Sequence, residues 1–156
     1  MPNIRQIDCP GQAQAACLDI LRSLPQWFGN ETAIVGYGQQ CRTLPVFAAF
    51  SGEEAIGFAA LKQHSEFTRE ICVMGVKPKY HHKGIGRALL AACEENCRAN
   101  GTRFLTVKTL AGTAPSKSYA KTRAFYQAMG FVPLEIFPLY WDEANPCLLM
   151  AKYLAG

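Results

Sequence analysis

Ten residues, 81–90 (HHKGIGRALL), carry the pattern with the clearest chemical meaning. They follow an apolar run, residues 71–76 (ICVMGV), whose length and β-branched content are typical of a buried central strand. Apolar residues then recur at helical spacing as far as Gly101, which predicts a helix of about 17 residues and roughly 25 Å. Gly84 and Gly86 leave room for an anion at the free amides and positive dipole of its first turn. The stretch therefore predicts a phosphate site.

Spacing separates the kinds of anion site that such a turn can form. A P-loop needs GxxxxGK followed by Ser or Thr, and the sequence contains no such string. A dinucleotide-binding turn needs a third small residue at the position of Leu89, which argues against that site. A coenzyme A turn remains, and so does a tight strand-to-helix turn without a ligand.

The stretch resembles the coenzyme A turn of the GNAT acyltransferase superfamily, which reads Arg or Gln, two residues, Gly, one residue, then Gly or Ala. His81, Gly84 and Gly86 occupy these positions, and His81 departs from the pattern. Gly75 interrupts the preceding strand, which predicts a bulge or a close backbone approach. On this resemblance, acetyl-CoA would be bound by the strand and the turn, through Met74, Gly75, Val76, His81, His82, Lys83, Gly84, Ile85, Gly86, Arg87 and Ala88.

A second motif strengthens the resemblance. Residues 122–131 (TRAFYQAMGF) match the last core helix of GNAT proteins, which carries an aromatic or aliphatic residue, Tyr, three residues, Gly and Phe. The matching residues are Phe125, Tyr126, Gly130 and Phe131. The family assigns the tyrosine as general acid, so Tyr126 is the expected proton donor to the leaving thiolate. Tyr119 stands where many relatives carry an Asn that contacts the cofactor, and that contact is not expected here.

Acyl transfer to an amine also needs a group that removes a proton, because a free alkylamine of pKa ~10.4 is mostly charged at neutral pH. Glu70, at the start of the central strand, resembles the glutamate that some relatives use directly or through water. His64, in the polar connection before it, is the alternative base. A surface salt bridge would explain Glu70 without a catalytic role.

The region after the first predicted helix would lie beside the acyl-acceptor site if the resemblance holds. A helical stripe over residues 12–24 ends at Pro25, and aromatic residues follow at once. Candidate acceptor contacts are Trp27, Phe28, Glu31 and Tyr37. A hydrophobic plug at one end of the core would explain the aromatic residues equally well.

Composition narrows the class of protein. A chain of 156 residues with 49% hydrophobic and 18% charged residues suits a single globular domain over residues 1–156. The formal charge of +4 lies partly beside the glycine turn and lacks the long basic stripe of a nucleic-acid surface. Seven scattered cysteines, no secretory signal and no membrane-spanning apolar run favour a reduced, cytoplasmic protein that binds neither membrane nor metal.

The expected fold is α/β (α+β) of GNAT type: a mixed, mostly antiparallel sheet of about six to seven strands, flanked by about four helices. Ser118 is the expected N-cap of the helix that carries Tyr126, and residues 138–146 (PLYWDEANP) are expected to form a loop. The final strand, residues 147–153, is apolar enough to support a homodimer.

The sequence thus predicts an N-acetyltransferase that moves an acetyl group directly from acetyl-CoA to a primary amine in a ternary complex, without metal. The acceptor would be a small-molecule amine or a protein or peptide amine. The alternative is a GNAT fold that binds acyl-CoA as a sensor or scaffold and transfers nothing, because His81 and Tyr119 depart from the family pattern.

Overall fold

The computed structural model describes residues 2–154, and these form one seven-stranded sheet with four α-helices. The elements, in chain order, are β1 (Asn3–Gln6), α1 (Pro10–Arg22), α2 (Glu31–Cys41), β2 (Val46–Ser51), β3 (Glu54–Gln63), β4 (Thr68–Val76), α3 (Ile85–Ala99), β5 (Phe104–Leu110), α4 (Lys117–Ala128), β6 (Val132–Asp142) and β7 (Asn145–Tyr153), with a 3₁₀ turn at Pro78–Tyr80. The predicted fold class is confirmed.

The strands are ordered β1-β2-β3-β4-β5-β7-β6, and every neighbouring pair is antiparallel except β4 and β5. A parallel pair needs a long crossover, and α3 supplies it. The glycine turn therefore lies where β4 passes into α3, at the centre of the sheet.

Two hydrophobic clusters show that the helices cover opposite faces of the sheet. Buried residues of α1 and α2, including Ile20 and Ile34, pack with Phe58 and Val73 on one face. On the other face, α3 and α4 contribute Leu90 and Tyr126 to a cluster that contains the following strand residues: Leu61, Ile71, Leu105, Val107 and Met150. The site residues of α4 and those of the α1–α2 connection thus approach the sheet from opposite sides.

The parallel strands separate after a short ladder. β4 pairs with β5 from Thr68↔Phe104 to Ile71↔Val107, whereas β5 stays paired with β7 as far as Leu110. The rest of β4 has no β5 partner along that edge. We call the resulting V-shaped opening, bounded by residues 72–76 of β4 and 108–110 of β5, the β4–β5 gap.

The irregularity in β4 lies at Cys72 rather than at Gly75. The register with β3 runs Ala60↔Val73 and then Leu61↔Ile71, which leaves Cys72 as the extra residue of a bulge. Gly75 is paired regularly, and a Cβ there would lie 2.9 Å from the Leu24 side chain. A glycine is needed here because α1 and the residues just after it pack closely on the strand. Of the two explanations that the sequence offered, the close approach is therefore correct and the bulge is not.

The C-terminal third differs from two expectations. Ser116, not Ser118, caps α4, because its hydroxyl accepts a hydrogen bond from the Tyr119 amide at 3.2 Å. Residues 138–146 are not a loop: β6 extends to Asp142 and β7 begins at Asn145, so the two strands form a long hairpin with a short turn. Pro138 is tolerated because β6 is an edge strand.

Candidate active site

The glycine turn has the backbone conformation that an anion site requires. Gly84 precedes α3 with φ +79°, and His82 also has a positive φ, +61°. A Cβ on Gly84 would have no neighbour within 4 Å, so the space in front of the helix is open. The first amide of α3 with a helical partner is that of Ala88, which donates to the Gly84 carbonyl at 3.1 Å. The amides of residues 85–87 therefore point out of the helix as free donors.

Gly86 serves a purpose that the sequence did not predict. A Cβ at this position would lie 3.3 Å from the Phe125 ring of α4 and 3.7 Å from Met74. The residue thus lets α4 pack against the start of α3. Lys83 and Arg87, both exposed, flank the turn, and the Lys83 ammonium lies 5.7 Å from the centre of the Tyr80 ring.

His81 contacts the edge of the β4–β5 gap. Its Nε2 lies 2.6 Å from the Val76 carbonyl oxygen, so that bond needs the proton on Nε2. The Lys77 amide donates a hydrogen bond to the Ile56 carbonyl of β3. Because the backbone N–H and C=O groups of successive residues point to opposite edges of a strand, those of Val76 and Met74 face the gap and those of Gly75 face β3. The Val76 carbonyl is therefore already hydrogen-bonded to His81. The backbone N–H and C=O groups of Met74 remain open to the gap.

Tyr126 lies in the hydrophobic cluster on the α3 and α4 face of the sheet. The same cluster contains Ile71 and Val107, the pair at which the β4–β5 ladder ends. Its ring packs edge-on against Phe125 and Phe131, with ring centres 5.4 Å apart in both pairs. Burial raises the pKa of the Tyr126 hydroxyl well above its ordinary value, and nearby Cys93 and Tyr119 add to the effect. The phenol therefore keeps its proton at any ordinary pH.

Glu70 lies at the closed end of the gap, on the opposite face from Tyr126. It is 6% exposed, and its Oε1 lies 2.6 Å from His64 Nε2. The Lys108 ammonium of β5 donates to both carboxylate oxygens at 3.1 Å. Burial would lower the pKa of Lys108, but the hydrogen bonds and negative charge of Glu70 outweigh it and the pKa is raised. The carboxylate is thus held between a permanent cation and a histidine.

Three of the four predicted acceptor contacts lie together beside the gap. Trp27, Phe28 and Tyr37 pack against the α1/α2 cluster, and the rings of Phe28 and Tyr37 meet edge-on at 6.1 Å. Tyr37 is also close enough for the charge of Glu70 to contribute to the rise in its pKa, which burial dominates. Glu31 does not join them: it forms an exposed ion pair with Arg22 at 2.7 Å.

Lys108 is the site residue that sequence analysis missed. A single lysine in the strand RFLTVKT looks like the polar half of an alternating pattern. The parallel register decides its role: Glu70 pairs with Thr106, so Lys108 lies two residues further along the same face. Tyr140 of β6, which was expected in a loop, adds a ring 5.2 Å from the Lys108 ammonium.

Among residues 2–154, no three His, Cys, Asp or Glu side chains lie close enough together to share a metal ion. None of the helices in this range has the length and apolar character needed to cross a bilayer.

Comparison with known proteins agrees with this architecture. A sequence model for the family described as "Acetyltransferase (GNAT) domain" matches residues 42–133, more than half of the chain. The chain belongs to the GNAT acetyltransferase family. A mycothiol acetyltransferase from Corynebacterium glutamicum is 33% identical over 95 residues, which cover 61% of this chain and 30% of that protein. The match thus spans less than a third of the length of this curated relative.

Solved structures of the family share the fold over almost the whole chain. A protein from Desulfovibrio desulfuricans assigned to the GNAT acetyltransferases superposes with a TM-score of 0.84 and 21% identity, covering 99% of this chain and 100% of that one. A GNAT acetyltransferase from Elizabethkingia anophelis with acetyl-CoA bound has a TM-score of 0.75 and 19% identity, covering 98% of each chain. At these identities the likeness concerns the fold.

Proposed function

We propose that this chain transfers an acetyl group from acetyl-CoA to a primary amine by direct attack in a ternary complex. The observation that carries the proposal is the arrangement around the β4–β5 gap. Free amides lie at its open end, a protonated tyrosine packs in the hydrophobic cluster on one face of the sheet, and a buried carboxylate lies at the closed end on the other face. Tyr126 and Glu70 could therefore act on a thioester and an amine that enter from opposite sides of the sheet.

The site fits acetyl-CoA as the donor. The pyrophosphate would accept hydrogen bonds from the amides of residues 85–87, with Lys83 and Arg87 nearby to balance its charge. The pantetheine arm would lie in the gap, beside the open backbone groups of Met74. The bound acetyl-CoA in the relative from Elizabethkingia anophelis, which shares this fold, supports this assignment.

The chemistry follows from the two ionisable groups. A charged amine must lose a proton before it can attack, and Glu70 is the acceptor that the geometry favours, because its buried side chain lies on the proposed acceptor side of the gap. The neutral amine attacks the thioester carbonyl, and the tetrahedral intermediate expels the thiolate. Tyr126 then donates its phenolic proton to that thiolate, a role that its raised pKa preserves up to alkaline pH.

The acceptor would lie on the α1/α2 side of the gap, against Trp27, Phe28 and Tyr37. These rings suit the apolar part of an alkylamine and the face of a cation. The acceptor is then a small-molecule amine or an amine on a protein or peptide. A panel for testing should hold polyamines, lysine peptides and an aminoglycoside, since one structural neighbour is named aminoglycoside 6'-N-acetyltransferase.

Calorimetric titration of acetyl-CoA tests the donor site. We expect wild type to bind with micromolar affinity and a Lys83→Glu/Arg87→Glu double variant to bind at least about tenfold more weakly, because both charges flank the pyrophosphate site. Arg98→Glu, at the far end of the same helix, is the charge-matched control. Absence of binding to wild type would refute the proposal.

Release of coenzyme A thiol over the amine panel tests transfer. Turnover with at least one amine, lost in Glu70→Gln and weakened in Tyr126→Phe, is the expected result. Binding of acetyl-CoA without turnover for any amine would instead favour the non-catalytic acyl-CoA sensor.

A further inference from the structure

His64 links the buried Glu70 carboxylate to solvent. The Glu70 side chain is only 8% exposed, whereas that of His64 is 39% exposed. Nε2 of the imidazole lies 2.6 Å from Glu70 Oε1, in hydrogen-bond contact with the carboxylate. The other ring nitrogen, Nδ1, is therefore the one available to water. The ring thus has one end in the site and the other outside it.

The chain holds His64 in this position by local structure. His64 follows β3 directly, and its amide donates to the Thr68 carbonyl at 2.9 Å, with the Ser65 amide 3.3 Å from the same oxygen. β3 and β4 are in register beside it, with Lys62 opposite Glu70. The contact therefore depends on a short hairpin turn, which needs no reorganisation during a reaction.

The other groups around Glu70 are poorly suited to carry a proton away. The pKa of Lys108 is raised by Glu70, in spite of burial, so this ammonium stays protonated and cannot accept. Burial raises the pKa of Tyr37, Cys72 and Cys147, which therefore hold their protons at neutral pH. His64 remains as the side chain in contact with the carboxylate whose second ring nitrogen is available to solvent.

We infer that His64 is the route by which the proton taken up by Glu70 leaves the active site, an inference that rests on the proposed acetyl transfer. Acetyl-CoA and an ammonium give an amide, a free thiol and one proton. The ammonium proton passes to a Glu70 oxygen. With His64 as the Nδ1–H tautomer, Glu70 then gives a proton to the free Nε2 while Nδ1 releases its own proton to water, and exchange with solvent restores the Nδ1–H tautomer before the next turnover. The second amine proton balances the one that Tyr126 gives to the thiolate. His64 is thus a positioning and relay residue.

Chemical rescue tests the relay directly. His64→Ala is expected to lower kcat about tenfold or more with little change in the KM for acetyl-CoA, and added imidazole buffer should restore much of the loss in proportion to its concentration. His64→Gln can still donate a hydrogen bond to Glu70 but cannot relay a proton, so its kcat should also fall. Glu66→Gln, in the same exposed turn, is the control and should match wild type.

The assay uses acetyl-CoA with the amine that wild type turns over, or acetyl-CoA hydrolysis until that amine is found. A merely structural role predicts full activity in His64→Gln and no dependence on imidazole concentration, and either result overturns the inference while the proposed function stands. Rescue of Glu70→Gln by imidazole to the same extent would also overturn it. Absence of any turnover in wild type overturns the proposed function, and the relay with it.

Discussion

The hydroxyl of Tyr119 donates a hydrogen bond to the backbone carbonyl of Trp27 at 2.8 Å, across 92 positions of the chain. In the other direction, the Trp27 indole N–H donates a hydrogen bond to the Thr122 hydroxyl at 3.0 Å. Trp27 belongs to the α1/α2 side of the sheet and Tyr119 to α4 on the other, so this contact joins the two faces. The edge of Trp27 also meets His81, with ring centres 5.8 Å apart.

Both departures from the family pattern, His81 and Tyr119, therefore contact the same tryptophan. Such a bridge ties the acceptor side of the site to α4 and to the glycine turn. Trp27→Leu removes the ring and its hydrogen bonds, and we expect it to lower the free energy of unfolding by about 2–4 kcal/mol and to raise the KM for the acceptor more than it lowers kcat.

Tyr119→Phe removes a single hydrogen bond and should cost about 1 kcal/mol. Denaturant unfolding and steady-state kinetics measure both variants, and Tyr153→Phe, an exposed ring, is the control. Equal stability of Trp27→Leu and wild type would show that the bridge does not hold the two faces together.

Tyr126 should act as an acid over an unusually wide pH range. Its pKa is raised by burial, so the phenol stays protonated at pH 10, where a free tyrosine is already about half ionised. Tyr126→Phe should lower kcat by about 10²-fold or more, with little change in affinity for acetyl-CoA. The kcat profile from pH 7 to 10 is the measurement. A fall in wild-type kcat below pH 9 that disappears in Tyr126→Phe would contradict the assignment.

The Lys108–Glu70 pair should stabilise the fold in a pH-dependent way. The folded pKa of Lys108 is raised, so its contribution is complete below the unfolded value of about 10.4 and is lost as pH rises through the folded pKa. Lys108→Met leaves a buried carboxylate with His64 alone and should cost about 1–3 kcal/mol at pH 7.

A double-mutant cycle with Glu70→Gln isolates the pair. In Lys108→Met/Glu70→Gln the cost should be partly recovered, because no unpaired charge remains in the buried position. Simple additivity of the two single changes, measured by urea unfolding, would mean that the ion pair contributes nothing.

The final strand that the sequence suggested as a dimer surface, β7, lies between β5 and β6 in the sheet, so we propose a homodimer through the edge strand β6 instead. Its exposed apolar side chains are Val132, Leu134, Ile136, Leu139, Tyr140 and Trp141. Pro133 and Pro138 remove backbone donors, so two copies would meet through side chains rather than by extending the sheet. Sedimentation should give a dimer at micromolar concentration, converted to a monomer by Leu134→Glu and unaffected by Glu135→Gln. A monomeric wild type would exclude it.

Much of the fold and of the candidate site could be predicted because the signals for them lie in short stretches of sequence. Periodicity and glycine punctuation identified β4, α3 and α4, and two short motifs placed His81, Gly84, Gly86 and Tyr126 in a known family. Boundaries were less certain where local signals compete. Both Ser116 and Ser118 can cap a helix, and hydrogen-bond geometry selects Ser116.

Residues 138–142, the end of β6, could not be predicted from local propensity. Proline and polar residues favour a loop here by propensity, but β6 continues through the segment as an irregular strand, whose ladder with β7 breaks after Phe137 and resumes at Asp142. Gly75 is similar, since no local pattern distinguishes a bulge from the close approach of a distant helix.

The sequence by itself determined the family, the glycine turn before α3 and the candidate acid, because each depends on residues close together in the chain. Tertiary structure alone decided how Glu70 is held. Lys108, 38 residues away, reaches it because β4 and β5 are parallel and in a fixed register, and His64 reaches it because a hairpin closes beside it. Contact across strands depends on pairing and register, and neither is encoded in the spacing of the residues that meet.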